Sequence, residues 1–455
     1  MNKNYYVDDS VFNKFLDARD FASLLSLFKR GFDINSTNEL GQTALMLSAK
    51  HGDIQLVNFL LKKGAIVNTR DEELFTPLMY AAESGNIDIV KILVSYGADI
   101  HALDIYGRNI LIHSVNNLNC LSYFISNNVD VNVSDDNGKT VLMYASEIPD
   151  NLNTINYLIS LGADKFKKDN DGADVLMYAT RSADISIVDF FLKSGISVEN
   201  LDVWGMNALF YAAEMGHYHV MEYLVNAGSE KIIFDNEQRN TLMAAIYSGD
   251  YNSVKFLINK NIDLNLPDED GNTALIYAAK TGDCEIIKLL ISFGADLNTF
   301  DRAGRNVLMI SAYIGNFDAL KYFHAQGCSF DLKDYTGSSA LIYAILGGHN
   351  NIIKWLVNHG ADTGVVTDEG KTALMFAALL GNAFATEILS KASNINECDC
   401  YGQNALMHGI SSGNHECVEI LMYSGADKLR EDNAGLNALK LAKEKGIPEI
   451  LNLLS

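Results

Sequence analysis

The residues best suited to chemistry lie near the C-terminal end, where Cys398, Cys400, His408, His415 and Cys417 supply the donor types of a zinc centre. Such a centre needs four of them to converge on one tetrahedron. Two Gly-Lys-Thr triplets, at 138–140 and 370–372, have the ending of a phosphate-binding loop, whose glycines let backbone N–H groups cradle an anion. Val133 stands where the first glycine of that loop belongs, and Gly364 is one residue too far from Gly370. The acidic runs at 169–172 and 268–271 have oxygen ligands for calcium, but lack the spacing and the terminal glutamate of a calcium loop. His217 and His219 have no cysteine or carboxylate pattern to complete them. Neither Gly-x-Ser-x-Gly nor His-Glu-x-x-His occurs.

What positions these residues is a repeat. A Ser, Thr, Asn or Asp recurs at 43, 76, 109, 140, 174, 207, 240, 273, 306, 339, 372, 404 and 437, in steps of 33 residues with exceptions of 31, 34 and 32. These are helix N-cap types, because a short polar side chain accepts from the free N–H groups of the first turn. Two places on stands a leucine in every copy, and five places on a small residue, which lets neighbouring helices approach closely. In the slice 268–298, Thr273 is expected to cap a first helix that Gly282 stops. A second helix carrying Ile286, Ile287, Leu289, Leu290 and Ile291 then runs to Gly294. Neither helix is long enough to be stable alone, so each unit needs neighbours. Asp-x-x-Gly ahead of the cap is a turn signal for a hairpin tip.

Asp-x-x-Gly-x-Thr-Ala-Leu-Met-Tyr-Ala-Ala-x-x-Gly, a second helix, then Gly-Ala-Asp-Ile-Asn closely resembles the ankyrin repeat, over essentially all 455 residues. The resemblance implies an all-α solenoid of stacked helix-turn-helix units with short β-hairpin or turn tips. About fourteen repeats would form a single array over 1–455, with an N-terminal capping repeat at 1–37, regular repeats at 38–431 and a C-terminal capping repeat at 432–455. The first cap rests on Val11, Phe12, Phe15 and Leu16 with Leu24, Leu25, Leu27 and Phe28. The last rests on Lys440, Lys443, Glu444 and Lys445, charged where other copies are small or apolar. Proline follows the cap only at Pro77. Methionine replaces the family's histidine at 46, 79, 143, 177, 243, 309, 375 and 407, so an apolar seam is expected where the family has a polar ladder.

In this frame Cys400 sits at a tip, His408 on a first helix and Cys417 in the core of a second, so they should not converge. No catalytic, cofactor or metal residue is expected. The irregular steps at 109–174 leave two readings, drift in an exposed loop or a hinge. Leu74 and Gln238 replace the tip glycine, Ala392 the glycine after a second helix, and Asn128 and Asn261 stand in for that same glycine. Asparagine is the next best residue at positive φ.

Net charge −22 with 48% hydrophobic residues and only 4 prolines describes a folded chain and argues against nucleic-acid or anionic-membrane binding as its main task. No Sec signal and no bilayer-spanning run is visible, and 6 scattered cysteines suit a reducing compartment. A cytoplasmic location is expected, with delivery as an effector by a non-Sec route left open.

In the ankyrin family, partners usually lie along the concave face of tips and first helices, where copies differ. Here those positions suggest a groove centred on Trp204, Met206, Met215 and Tyr247 that continues through Tyr313, Ile314, Tyr335 and Leu346. The competing reading packs these side chains against neighbouring tips. The partner expected is a protein or extended peptide, with acidic tips at 72–73, 269–270 and 368–369 favouring a basic one. The protein is expected to be a monomeric binding scaffold. An architectural or homo-oligomeric element is the alternative, and an enzyme assembled on the array the remotest reading.

Overall fold

The computed structural model describes residues 21–29 and 33–454. Val11, Phe12, Phe15, Leu16, Gly31 and Phe32 lie outside the described residues, and of the first expected helix pair the segment Phe21–Lys29 is seen. From residue 44 onward the chain is a succession of paired helices, the first of each pair up to eight residues long and the second seven to ten. Within each unit, first helices pack on the first helices of neighbouring repeats and second on second, as an all-α solenoid requires. The chain divides into two compact units, one of residues 1–212 and 219–230, the other of 213–218 and 231–455. Among the described residues no helix is long and apolar enough to cross a membrane.

The elements form where the local chemistry asks for them. In the second unit, the expected pair appears as Ala274–Thr281 and Cys284–Ser292, stopped by Gly282 at φ 83° and Gly294 at φ 94°. Gly282 is needed twice, for its backbone angle and for space. A Cβ there would lie 2.5 Å from Nδ2 of Asn316, which donates to the Gly282 carbonyl. Eleven of the thirteen cap residues accept from a first-turn N–H, as Thr43, Asn207 and Asn437 show. Thr273 is a correction to the expectation: its backbone is extended as a cap requires, but its hydroxyl turns to Thr299 at 3.3 Å. Ser339 likewise makes no cap bond.

The column two after the cap is core in every copy but the last, with Leu45, Leu275 and Leu406 among its buried leucines and Leu439 exposed, and the small column is buried with it. In the last repeat Lys440, Lys443, Glu444 and Lys445 are exposed on or beside Ala438–Lys445. Leu74, Asn128, Gln238 and Asn261 all take φ between 60° and 66°, the conformation their glycine-like places demand. Asp150 and Ala183 join them. Ala392 does not, because Ala383–Ala392 runs a full ten residues and Ser393 leaves it extended at φ −129°.

Tips are tied to tips by main chain. Ile105 N–H donates to the Glu73 carbonyl at 3.0 Å and Asp136 N–H to Tyr106 at 3.0 Å. The same bond recurs in the second unit, where Glu269 donates to Glu237 and Tyr335 to Ala303. Pairing within each tip is limited to isolated bridges such as Thr37 with Thr43 and Cys398 with Asn404. On the opposite end of the repeat, the asparagine of Gly-Ala-Asp-x-Asn reaches the next copy: Asn68 Oδ1 accepts from Asp99 N–H, and Asn132 Oδ1 from Asp164 N–H.

Candidate binding face

The aspartate that opens most tips is a clamp, with Asn38 and Thr367 in its place in two copies. Its Oδ1 accepts from the N–H groups two and four residues on, so Asp202 holds Trp204 and Met206, and Asp301 holds Ala303 and Arg305. This is the reason for aspartate ahead of the tip glycine, and it accounts for the acidic runs at 169–172 and 268–271 as turn chemistry. Nine of these clamps are buried, so the second oxygen needs a donor as well. A tyrosine nine residues on supplies it at Tyr80, Tyr144, Tyr178, Tyr211, Tyr277 and Tyr343, at 2.5 to 2.8 Å. Burial, then the bond to the carboxylate, pushes each of these phenols above its ordinary range. In the copy at Asp399 the donor is His408 Nε2 at 2.9 Å, and burial holds that imidazole below its usual range against the pull of the carboxylate.

The polar ladder therefore persists in another form, which corrects the expected apolar seam. Five of the eight methionines join it too: the sulfur of Met46 accepts from Thr43 N–H at 3.3 Å, and Met79, Met143, Met243 and Met375 do likewise. A thioether is a weak acceptor. The bond is an addition to a buried, well-packed side chain rather than a replacement for packing.

Within the first unit, cations fill the spaces between these phenols. Lys139 Nζ lies 3.8 Å from the Tyr144 ring centre and 4.6 Å from that of Tyr178. The guanidinium of Arg181 lies 4.9 Å from Tyr178 and 5.4 Å from Tyr211. Glu147 binds both cations. Burial lowers the Lys139 ammonium from its usual range, and Glu147 opposes that shift. The lysine of the apparent phosphate loop is thus committed to this stack, and Thr140 to its cap. Sequence reasoning missed the stack. The column nine residues after the clamp, read together with the cations around it, is the signal that carries it.

The column is interrupted in the first unit at His113, where Arg108 donates to Asp104 Oδ2 at 2.6 Å, and twice more in the second unit. Ala244 and Ile310 stand where tyrosine would, and Arg239 and Arg305, four residues after their aspartates, take the vacant oxygens at 2.6 and 2.7 Å. Beside Ile310 a hollow of about 170 Å³ opens, lined by Met309, Ile310, Tyr313, Ile314 and Tyr343 with Lys280 and Arg305 at its edge.

The expected groove residues divide between the units. Trp204 and Met206 belong to the first, and Met215, Tyr247, Tyr313, Ile314, Tyr335 and Leu346 to the second. Trp204 is 45% exposed, Tyr247 73% and Tyr335 74%; Met215, Tyr313, Ile314 and Leu346 are exposed as well. Met206 is different. It is 8% exposed, and its N–H and C=O are both bonded to Asp202, so it packs beneath the tip it was expected to display. Tyr313 and Tyr343 meet edge to face at 6.1 Å, and the Tyr335 ring covers Gly304 so closely that a Cβ there would be 2.9 Å from Cδ1.

The chemically suggestive residues near the C-terminus have separate engagements. His408 is bound to Asp399, the thiol of Cys417 is buried beside Thr386, and Cys400 is exposed at a tip. Among the described residues no group of three or more His, Cys, Asp or Glu side chains is placed to hold a metal ion.

Comparison with known proteins agrees with this architecture. A family model described as Ankyrin repeats (3 copies) matches residues 17–104, 97–169, 150–235, 176–268, 233–301, 308–397, 352–432 and 374–455. A second, described as Ankyrin repeats (many copies), matches 285–324. Among curated proteins, the ADP-ribosylation factor GTPase-activating protein AGD4 of Arabidopsis thaliana is 38% identical over 68 residues, 15% of this chain and 9% of that protein. The chain therefore spans less than a tenth of that relative's length.

Proposed function

The chain belongs to the ankyrin repeat family, and from that premise we propose that it is a non-catalytic scaffold holding a protein or extended peptide against its tips and first helices. The observation that carries the reading is the placement of large aromatic side chains. Trp204, Tyr247, Tyr313 and Tyr335 stand in solvent on tips or at the ends of first helices, while the repeat columns beside them are buried. Aromatic side chains that keep their area exposed on a rigid support lose little entropy on binding and dominate interface energies. The acidic balance of the chain and the acidic tips at 72–73, 269–270 and 368–369 favour a partner of basic character overall. The short likeness to a GTPase-activating protein covers too little of either chain to bring an activity with it.

The test is affinity capture with the intact chain beside Trp204→Ala and Tyr335→Ala. A partner held by the intact chain should lose more than about 1 kcal/mol of affinity in at least one variant, with melting unchanged. Equal capture by all three would overturn the assignment of the face. Light scattering at micromolar concentration, expected to return a monomer, separates this reading from a homo-oligomeric one.

A further inference from the structure

The hollow in the second unit lies at a repeat that has isoleucine in place of the tyrosine. Counting nine residues from the clamp gives Tyr277 and Tyr343 in the flanking copies and Ile310 between them. Isoleucine has neither the reach nor the hydroxyl to bond Asp301, so Arg305 takes that oxygen from the side, and space open to solvent remains above Ile310. Its walls are apolar or aromatic: Met309, Tyr313, Ile314 and Tyr343. Next to it, sharing Lys280 and Arg305, lies a polar hollow of about 320 Å³ lined also by Asp270, Asn272, Asp301 and Arg302, so that three cations face two carboxylates there.

The charges around this double hollow are unequally committed. Asp301 has both oxygens engaged, Oδ1 by two backbone N–H groups and Oδ2 by Arg305. Asp268 is engaged in the same way by the N–H groups of Asp270 and Asn272, the Asn272 amide and the Tyr277 hydroxyl. Lys280 is not. Its Nζ donates to the neutral Asn272 Oδ1 at 2.6 Å, and among the described residues no carboxylate lies within 4.0 Å of it. Arg302 is exposed, with its nearest carboxylate contact a loose 3.8 Å to Asp270. In the first unit the place equivalent to Lys280 is held by Glu147, which ion-pairs with Lys139.

We propose that the Ile310 hollow is a specificity pocket, taking one bulky apolar side chain of the partner protein while an adjacent aspartate or glutamate of that partner is drawn to Lys280 and Arg302. The proposal rests on the reading of this face as a binding surface. An apolar side chain entering the hollow rests on the buried Met309 and Ile310, covers the exposed Ile314 and meets the rings of Tyr313 and Tyr343. A carboxylate beside it meets a half-buried ammonium that has a neutral partner only, and a charge-assisted bond there is stronger than the one it displaces. A lysine or arginine in that place would face Lys280, Arg302 and Arg305, with Asp301 already answered by Arg305 and only Asp270 left to attract it. The pocket thus asks for a local acid within a partner whose remainder answers the acidic tips.

Three fluorescein-labelled peptides test this by fluorescence polarisation on the intact chain: Gly-Ser-Phe-Glu-Ser-Gly, Gly-Ser-Phe-Gln-Ser-Gly and Gly-Ser-Ala-Glu-Ser-Gly. The first should bind about tenfold more tightly than either of the others. Ile310→Tyr puts back the residue native to both neighbouring copies and fills the hollow, and should cost the first peptide about tenfold. Lys280→Met should erase the preference for Glu over Gln and leave the Gln peptide bound as before, which keeps the test decisive should Ile310→Tyr fold poorly. Equal binding of the three peptides, no binding of the first at millimolar concentration, or indifference to both substitutions would each overturn the proposal. If it falls while Trp204→Ala or Tyr335→Ala still releases a captured partner, the pocket alone is wrong; if the peptides behave and both alanine variants retain the partner, the wider face is.

Discussion

Arg305 Nε donates to Asp301 Oδ2 at 2.7 Å, the oxygen to which a tyrosine hydroxyl donates in the repeats on either side. The carboxylate is buried at 4% exposure and must be answered, and here the answer comes from an arginine, with a hollow where the neighbouring repeats have a ring. Shape on this face is therefore a by-product of how a buried acid is satisfied.

Removing a ring hydroxyl where no arginine waits should be costly. In Tyr343→Phe the second oxygen of Asp334 loses its donor, and the change is expected to lower stability by about 1–3 kcal/mol, the penalty for an orphaned buried acceptor. Urea unfolding with an unchanged slope is the measurement. A loss below a few tenths would show that water reaches Asp334 freely.

Alkali should unfold the protein from the tyrosines outward. Six phenols are raised above their ordinary 10.0, by burial first and by their aspartates second. A pKa raised in the folded state stabilises fully below the unfolded value and is lost as pH climbs beyond it toward the folded value. Stability should hold up to about pH 10 and fall steeply above it. Tyrosinate absorbance should show these six ionising together with loss of helical circular dichroism; ionisation of all tyrosines ahead of unfolding would contradict the burial argument.

Gln238 pays for a turn that glycine would make without strain. It sits at φ 61°, exposed, at a tip position held by glycine in most other repeats. Gln238→Gly should raise stability by about 0.5–1 kcal/mol, the relief of a left-handed non-glycine residue less the extra freedom of glycine in the unfolded chain. A calorimetric melt of the two proteins decides it.

Local opening should concentrate between residues 109 and 180. The first helices there are Ile110–His113, Val141–Ser146 and Val175–Ala179, of four, six and five residues, against eight in Ala274–Thr281 and Val307–Ile314. A stacked array opens in repeat-sized units where its intrinsic helix is poorest. Hydrogen exchange should be faster in those three helices than in the two longer ones by at least an order of magnitude. Uniform protection through both regions would refute this.

Much of this fold was written locally and could be read locally. Thr43, Asn207 and Asn437 cap because capping is settled within one turn, and Leu74, Gln238, Asn128 and Asn261 adopt positive φ because the geometry of a turn leaves them nothing else. What escaped reading is settled between copies some 33 residues apart. Thr273 looks like its twelve equivalents and yet bonds Thr299; Met206 looks like tip surface and lies under it. Lys139 looks like a nucleotide-loop lysine and is held between two rings of successive repeats. The face is harder still, since Ile310 matters through the ring that is absent there and through the two tyrosines that flank it.

The bonds that join one tip to the next run from backbone N–H to backbone carbonyl, as from Ile105 to Glu73 and from Tyr335 to Ala303. Any amino acid but proline can make them. Exchange of a tip side chain therefore leaves this backbone link in place, and selection is free to rewrite the displayed surface one repeat at a time while the register of the array is inherited intact.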